Sequence, residues 1–194
     1  MSRVKIALVG KAGSGKDTVA GILKEQYDIE AMALADPIYT IANDLFKMKE
    51  KDRQLLRDIG KSLREIDDYI FIKYLVDRVN NSSKDIIVTD VRILKEYNRL
   101  KNEGFKFIIL ETDNENRYER LKLRDNIIEY TMYDKINLEN DPTELGVLPV
   151  SEEIKSNGDG YKIINNNGDM DSLRKQVISI YEEFKGEDRW NYMK

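Results

Sequence analysis

Residues 10–18 read Gly-Lys-Ala-Gly-Ser-Gly-Lys-Asp-Thr and directly follow the apolar run Val4–Val9. A G-x-x-x-x-G-K segment placed where a strand turns into a helix does its chemistry with backbone. Its glycines let successive N–H groups point inward as a nest, and the helix N-terminus adds partial positive charge for a phosphate. Gly10, Ala12, Gly13, Ser14 and Gly15 form the candidate nest, and Lys16 is placed to reach the β- and γ-phosphates of a nucleotide such as ATP. Asp17 stands where Ser or Thr normally touches Mg²⁺, with Thr18 next. Asp17 is either a ligand for a Mg²⁺-bound water or a first-turn acid favoured by the helix dipole. The spacing does not separate these two roles.

Further candidates lie at the ends of other apolar runs. Ile86–Val88 leads into Thr89-Asp90-Val91-Arg92. An acid at such a strand end beside a phosphate loop helps hold Mg²⁺ through water, which is favoured here over Asp90 capping a helix that begins near Arg92. Arg92 grips a substrate phosphate or is a surface arginine. Asp36, in Ala35-Asp36-Pro37, steers an acceptor or caps a helix with Pro at its first position. Arg64 offers a bidentate guanidinium to a monophosphate, or is one of several solvated arginines with Arg53 and Arg57. Arg120 and Arg124, four apart, share a helix face that either meets adenine and phosphates or pairs with Glu119 and Asp125. The segment Asn165-Asn166-Asn167-Gly168 exposes backbone at Asn167 and Gly168 that reads an adenine edge or makes a turn.

Composition removes competing chemistries. The 194 residues contain no histidine and no cysteine, so histidine general bases, Ser-His-Asp triads, His-ligated zinc, disulfides and thiol catalysis are excluded. Phosphoryl transfer survives, because it rests on positioning and on charge from Mg²⁺, Lys and Arg. A net charge of −4 with 35% charged residues argues against general affinity for nucleic acid. The sequence shows no membrane-crossing stretch and no secretory segment, and a cytoplasmic protein is expected.

The elements that position these residues alternate. Apolar runs suited to buried parallel strands occur at Val4–Val9, Ala31–Ala35, Ile86–Thr89, Phe105–Leu110 and Tyr161–Ile164, with helical patterns between them. The first helix, from about Lys16 to Tyr27, lines up Val19, Ile22, Leu23 and Tyr27. The last, from about Asp169 to Phe184, lines up Leu173, Val177, Ile180, Tyr181 and Phe184, with Asp169 as its N-cap. Two connections exceed simple crossovers, residues 36–84 and a polar stretch that contains 117–149; insertions of this kind at strand ends build substrate covers and lids. Residues 186–194 are expected to be a loosely held tail, pinned by Trp190. One domain is expected over the whole chain.

In their order these motifs resemble the nucleoside monophosphate kinase group, with the nearest likeness to deoxynucleoside monophosphate kinases of bacteriophages. The likeness is carried by Gly15-Lys16-Asp17-Thr18; by Ala35-Asp36-Pro37-Ile38 with Leu45-Phe46; and by Leu55-Leu56, Gly60, Leu63-Arg64, Ile66-Asp67. It continues through Thr89-Asp90-Val91-Arg92 and Asn166-Asn167-Gly168-Asp169. Adenylate kinases also delay their Thr by one position, which implies that Thr18 meets a nucleotide phosphate. Dephospho-coenzyme A kinase and animal phosphomevalonate kinase are similar at the loop and around Arg120–Arg124. Pro142-Thr143-Glu144 with Gly146 resembles the lid segment of the phage and phosphomevalonate enzymes, whereas Tyr69-Ile70-Phe71 stands where the phage pattern carries Trp. The resemblance implies a five-stranded parallel sheet with helices on both sides and ATP-dependent, Mg²⁺-assisted transfer to a (deoxy)nucleoside monophosphate. It also implies an acceptor-binding insertion at 36–84 and a lid at 117–149. It implies small-molecule nucleotides as partners, leaves a homodimer open, and would place a viral form in the host cytoplasm. A kinase for another small phosphorylated acceptor and a non-catalytic nucleotide-binding regulator are the alternatives.

Overall fold

The computed structural model describes residues 3–192, residues 143 and 188–192 through their backbone alone. Five strands, β1 (Lys5–Val9), β2 (Ile29–Met32), β3 (Asp85–Val91), β4 (Lys106–Glu111) and β5 (Tyr161–Asn165), form one sheet in the order β2-β3-β1-β4-β5. The pairings of β1 with β3, β1 with β4 and β4 with β5 are parallel. The helices are α1 (Lys16–Gln26), α2 (Asp36–Asp44), α3 (Arg53–Ile66), α4 (Ile70–Asn81), α5 (Leu94–Asn102), α6 (Asn114–Asp125), α7 (Met132–Glu139), α8 (Pro142–Leu145), α9 (Val147–Ser156) and α10 (Met170–Tyr192). The α/β class expected from the alternating pattern is the class found.

The central strands are covered on both faces, which is why they read as unbroken apolar runs. On one face Ile6, Leu8, Ile87, Ile108, Leu110 and Ile164 pack against Val19, Ile22 and Leu23 of α1 and Leu173, Val177, Tyr181 and Phe184 of α10. The residues between them in sequence point the other way. There Tyr97 of α5 meets Phe107 edge-on, with ring centroids 4.8 Å apart, and α9 contributes buried Val147, Val150 and Ile154. With both faces sealed, polar chemistry is confined to the strand ends.

The chain forms two compact units: one built from the residues before 32 and after 83, the other from 32–83. The second carries α2, α3 and α4. Asp52 caps α3, its carboxylate accepting the N–H groups of Gln54 and Leu55 at 2.9 and 3.0 Å.

Three expectations shift. The second strand occupies 29–32 instead of 31–35, because the Asp36 carboxylate accepts the Ala33 N–H at 3.1 Å and turns the chain there. Asp36 itself is the first residue of α2, whose N-cap is Ala35. The last helix does not stop near Phe184 but runs to Tyr192. Lys106 supports this extension, donating to the Phe184 carbonyl and pairing with Glu187, both at 2.9 Å. The side chain of Trp190 lies outside the described residues. Asp169 does cap α10, accepting the Ser172 N–H at 2.8 Å. The stretch 117–149 comprises most of α6, then α7, α8 and the start of α9. Its ends are buried at Arg117, Leu121 and Val147, and its middle exposes Ile128, Met132 and Tyr133. Among the described residues no helix is long and apolar enough to cross a membrane.

Leu8 is wholly buried, whereas Leu123 is 80% exposed. Leu8→Ala should cost about 2–5 kcal/mol of unfolding free energy, and Leu123→Ala less than about 0.5 kcal/mol. Urea unfolding of the two variants checks this, with equal midpoints counting against the core described.

Candidate active site

The turn from β1 into α1 is made by Gly13 and Gly15 at φ +79° and +98°, a left-handed region that side chains disfavour. At Gly15 space is restrictive as well, since a Cβ would collide with the side-chain amide of Asn166. Lys16 opens α1 and folds back over the turn, its ammonium donating to the carbonyls of Gly10 at 2.5 Å and Lys11 at 3.0 Å. Only 9% of the residue is exposed. Burial, aided by the nearby positive charge of Arg92, lowers its pKa to about 8, while Glu144, Asp17 and Asp90 oppose that fall.

Guanidinium groups flank the loop on both sides. Just past the end of β3, next to β1, Arg92 donates to Glu144 Oε1 at 2.7 Å. From α6, which follows β4 on the other side of β1, Arg120 donates to the Asn166 carbonyl at 2.8 Å and reaches the Gly13 carbonyl at 3.5 Å. Arg124 does not join it. Its guanidinium is held by the neighbouring Asp125 through two bonds of 2.8 and 3.0 Å. The shared helix face therefore splits, with one arginine on the loop and one in a local ion pair.

Asp90 lies within β3, where the register with β1 slips: Ala7 pairs with Val88, but Val9 pairs with Val91. This extra residue in β3 re-aims the strand end. Asp90 caps no helix, because α5 begins at Leu94 and its approach is closed by Glu96, which accepts the N–H groups of Arg92 and Ile93 at 2.9 and 3.2 Å. Asp17 and Thr18 are exposed in the first turn of α1. The charges of Asp17 and Asp90 both act on Lys16. Among the described residues no cluster of three or more acidic groups could hold a metal by itself. Two carboxylates beside a phosphate loop fit Mg²⁺, which keeps several waters and takes its remaining oxygens from a nucleotide.

Asn167 is half-buried, its side-chain oxygen accepting from the Asp113 N–H at 2.9 Å and Asn116 Nδ2 at 3.1 Å, and Gly168 is exposed. A cavity of about 320 Å³ opens nearby, its walls including Ser14, Thr112, Asn114, Arg117, Ser151 and Asn167. Asp36 and Arg64 belong to the second unit. There Asp36 pairs with Arg78 at 2.6 Å, and Arg64 lies exposed with its guanidinium 4.7 Å from the centre of the Phe71 ring.

Four residues at the loop were given no individual role by the sequence reading, although Glu144 and Asn166 lie in motifs it named. Arg117, 1% exposed, donates to the Ala12 carbonyl at 2.9 Å and to Glu139 at 2.9 Å. Glu139 also pairs with Lys11 at 2.5 Å, and these cations hold its carboxyl below the usual range despite partial burial. Glu144 accepts the Ala12 N–H at 2.7 Å. Asn166, buried, donates to the Ser14 carbonyl at 2.8 Å. The only advance signal for Arg117 was its position one helical turn before Arg120.

Comparison with known proteins agrees with this geometry. The sequence family described as AAA domain matches residues 6–140, well over half of the chain and the whole of the loop. The chain belongs to this family. As an AAA domain it is a phosphate-loop, kinase-like nucleotide-binding fold. No curated protein matches its sequence. Among solved structures this AAA domain is similar to the crystal structure of TT1252 from Thermus thermophilus. The TM-score is 0.60 at 16% identity, with 94% of this chain and 98% of that one covered, a likeness of fold.

Because Lys16 holds its proton up to about pH 8, its attraction for a nucleotide anion should fade above that value. Calorimetric titration of ATP without divalent cation should show affinity falling as pH rises through about 8, and no such fall in Lys16→Arg. The same lowered pKa means that the folded state loses its proton before the unfolded one, so stability rises from about pH 8 towards 10.5. A flat binding profile in the native protein would remove Lys16 from the phosphates.

Proposed function

We propose that the protein transfers the γ-phosphoryl group of ATP to a (deoxy)nucleoside monophosphate, giving ADP and the (deoxy)nucleoside diphosphate. One observation carries the reading: guanidinium groups flank the loop from both neighbouring strands, Arg120 on the β4 side and Arg92 on the β3 side. A hydrolase needs charge only around its nucleotide. Cations on two flanks suit two phosphates that approach each other, a donor held with Arg120 and an acceptor held with Arg92.

In this mechanism an oxygen of the acceptor phosphate attacks the γ-phosphorus in line, and the bond to the β–γ bridging oxygen breaks as ADP leaves. A monophosphate has already lost most of its second proton at neutral pH, its second pKa being about 6, so no general base is required. That agrees with a chain without histidine. The backbone at Gly13–Thr18 cradles the donor phosphates, Lys16 leaves its carbonyl partners for the β/γ oxygens, and Arg120 neutralises charge that develops on them. Mg²⁺, held through water by Asp17 and Asp90, would screen the negative charges that otherwise repel. Arg124, released from Asp125, would reach the phosphates as the segment 117–149 closes over ATP. Asn167 and Gly168 would border the adenine. Asp36 and Arg64, in the insertion 36–84, would serve the acceptor.

A coupled ADP-formation assay with a panel of deoxynucleoside and nucleoside monophosphates, dephospho-CoA and phosphomevalonate tests the proposal. Turnover with a nucleoside monophosphate is expected, and Lys16→Ala should lower kcat by about 10²-fold or more while leaving the circular dichroism unchanged. Turnover only with a non-nucleotide acceptor, or near-normal turnover in Lys16→Ala, would overturn it. Arg64→Ala and Arg92→Ala should raise the KM of the acceptor and leave that of ATP nearly unchanged. An equal loss for ATP would move both arginines to the donor.

A further inference from the structure

Glu144 combines three properties that occur together in no other described carboxylate at the loop. Its side chain is 3% exposed. Its two oxygens face different elements: Oε2 accepts the Ala12 N–H of the phosphate loop at 2.7 Å, and Oε1 accepts from Arg92 Nη1 at 2.7 Å. It also belongs to α8, inside the segment read as the lid. A second cation, Arg117, stands 3.5 Å from Oε2. Taking a carboxylate out of water is unfavourable unless good partners replace the water, and here the Arg92 guanidinium and the Ala12 N–H do so by hydrogen bonds, with the charge of Arg117 close by.

A second feature seats this carboxylate. Gly146, two residues on, lies so close to the strand end that a Cβ would collide with the carbonyl oxygen of Arg92. The α8–α9 junction is therefore pressed against the backbone of Arg92 while Glu144 holds its side chain. Both contacts fix the same arginine, and Oε2 ties the arrangement to the loop that would hold the donor.

We propose that Glu144 is a positioning residue: it aims Arg92 at the acceptor phosphate and fixes the distance between that guanidinium and the donor loop. The inference rests on the phosphotransferase reading above. Glu144 touches no substrate. It acts through Arg92, so the lid and the acceptor phosphate become one mechanical unit, and a lid that is not seated leaves Arg92 without direction.

Steady-state transfer kinetics on Glu144→Gln, Glu144→Asp, Arg92→Ala and the double variant Glu144→Gln/Arg92→Ala form the test, with melting curves to establish folding. Glu144→Gln should raise acceptor KM about tenfold or more and change the KM of ATP less than about threefold, because the remaining amide oxygen can keep the Ala12 N–H while the acceptor arginine loses its anionic partner. Glu144→Asp should recover part of that loss. The double variant should be no worse than Arg92→Ala alone, since residues that act as a unit are not additive. If Glu144→Gln does not fold, Glu144→Asp carries the same comparison: the charge stays, the reach shortens, and acceptor KM should still rise selectively. Equal losses for ATP and acceptor, additive effects in the double variant, or kinetics indistinguishable from the unaltered protein would overturn the role of Glu144 while leaving the phosphotransferase reading intact. Absence of transfer to any acceptor by the unaltered protein would overturn that reading, and the role with it.

Discussion

Two cations, Lys16 and Arg117, are held almost completely away from water, both against carbonyls of the same loop. Positive charge in such a place must be compensated, and the means of compensation explain much of the surrounding architecture. Lys16 folds onto loop carbonyls, and acids from three separate parts of the chain (Asp17, Asp90 and Glu144) act on its charge. Arg117 takes the Ala12 carbonyl, Asn114 and Glu139. Each compensating group arrives on a different element, so those elements must converge at the carboxyl end of the sheet. A phosphate chain would supply the same negative charge from outside, and this makes the loop receptive to polyanions.

The sheet makes such convergence available. With helices sealing both faces, the strand ends are the places where polar side chains can cluster without disturbing the core. β1 lies between β3 and β4, so groups leaving these two neighbours reach the loop from opposite sides. The register slip in β3 adds to this by re-aiming the strand end that carries Asp90 and Arg92.

Much of this was legible in the sequence, and the boundary is instructive. Buried strands β1, β3 and β4 announced themselves as apolar runs because nothing polar can be tolerated on either face. The loop was legible because its glycines carry a backbone requirement that few other residues satisfy. The second strand was misplaced because Ala31–Ala35 looks apolar throughout, whereas the bond from Ala33 to the Asp36 carboxylate ends it early. Arg124 looked equivalent to Arg120 by spacing, yet an adjacent Asp125 captures it. Glu144, Glu139, Arg117 and Asn166 were not assigned roles because each has a partner more than 100 positions away in the phosphate loop. Local pattern carries no record of such pairings.

The peptide units on either side of Ala12 are gripped at both ends, the N–H by Glu144 and the C=O by Arg117. These two bonds hold this part of the loop in shape before any phosphate arrives. A flexible loop would surrender conformational freedom each time it bound, and that loss would be subtracted from affinity at every encounter. Here the loss was taken once, when the chain folded. Ala12, whose N–H already has a carboxylate partner, thus acts as a brace, and the N–H groups that follow it are left to meet phosphate.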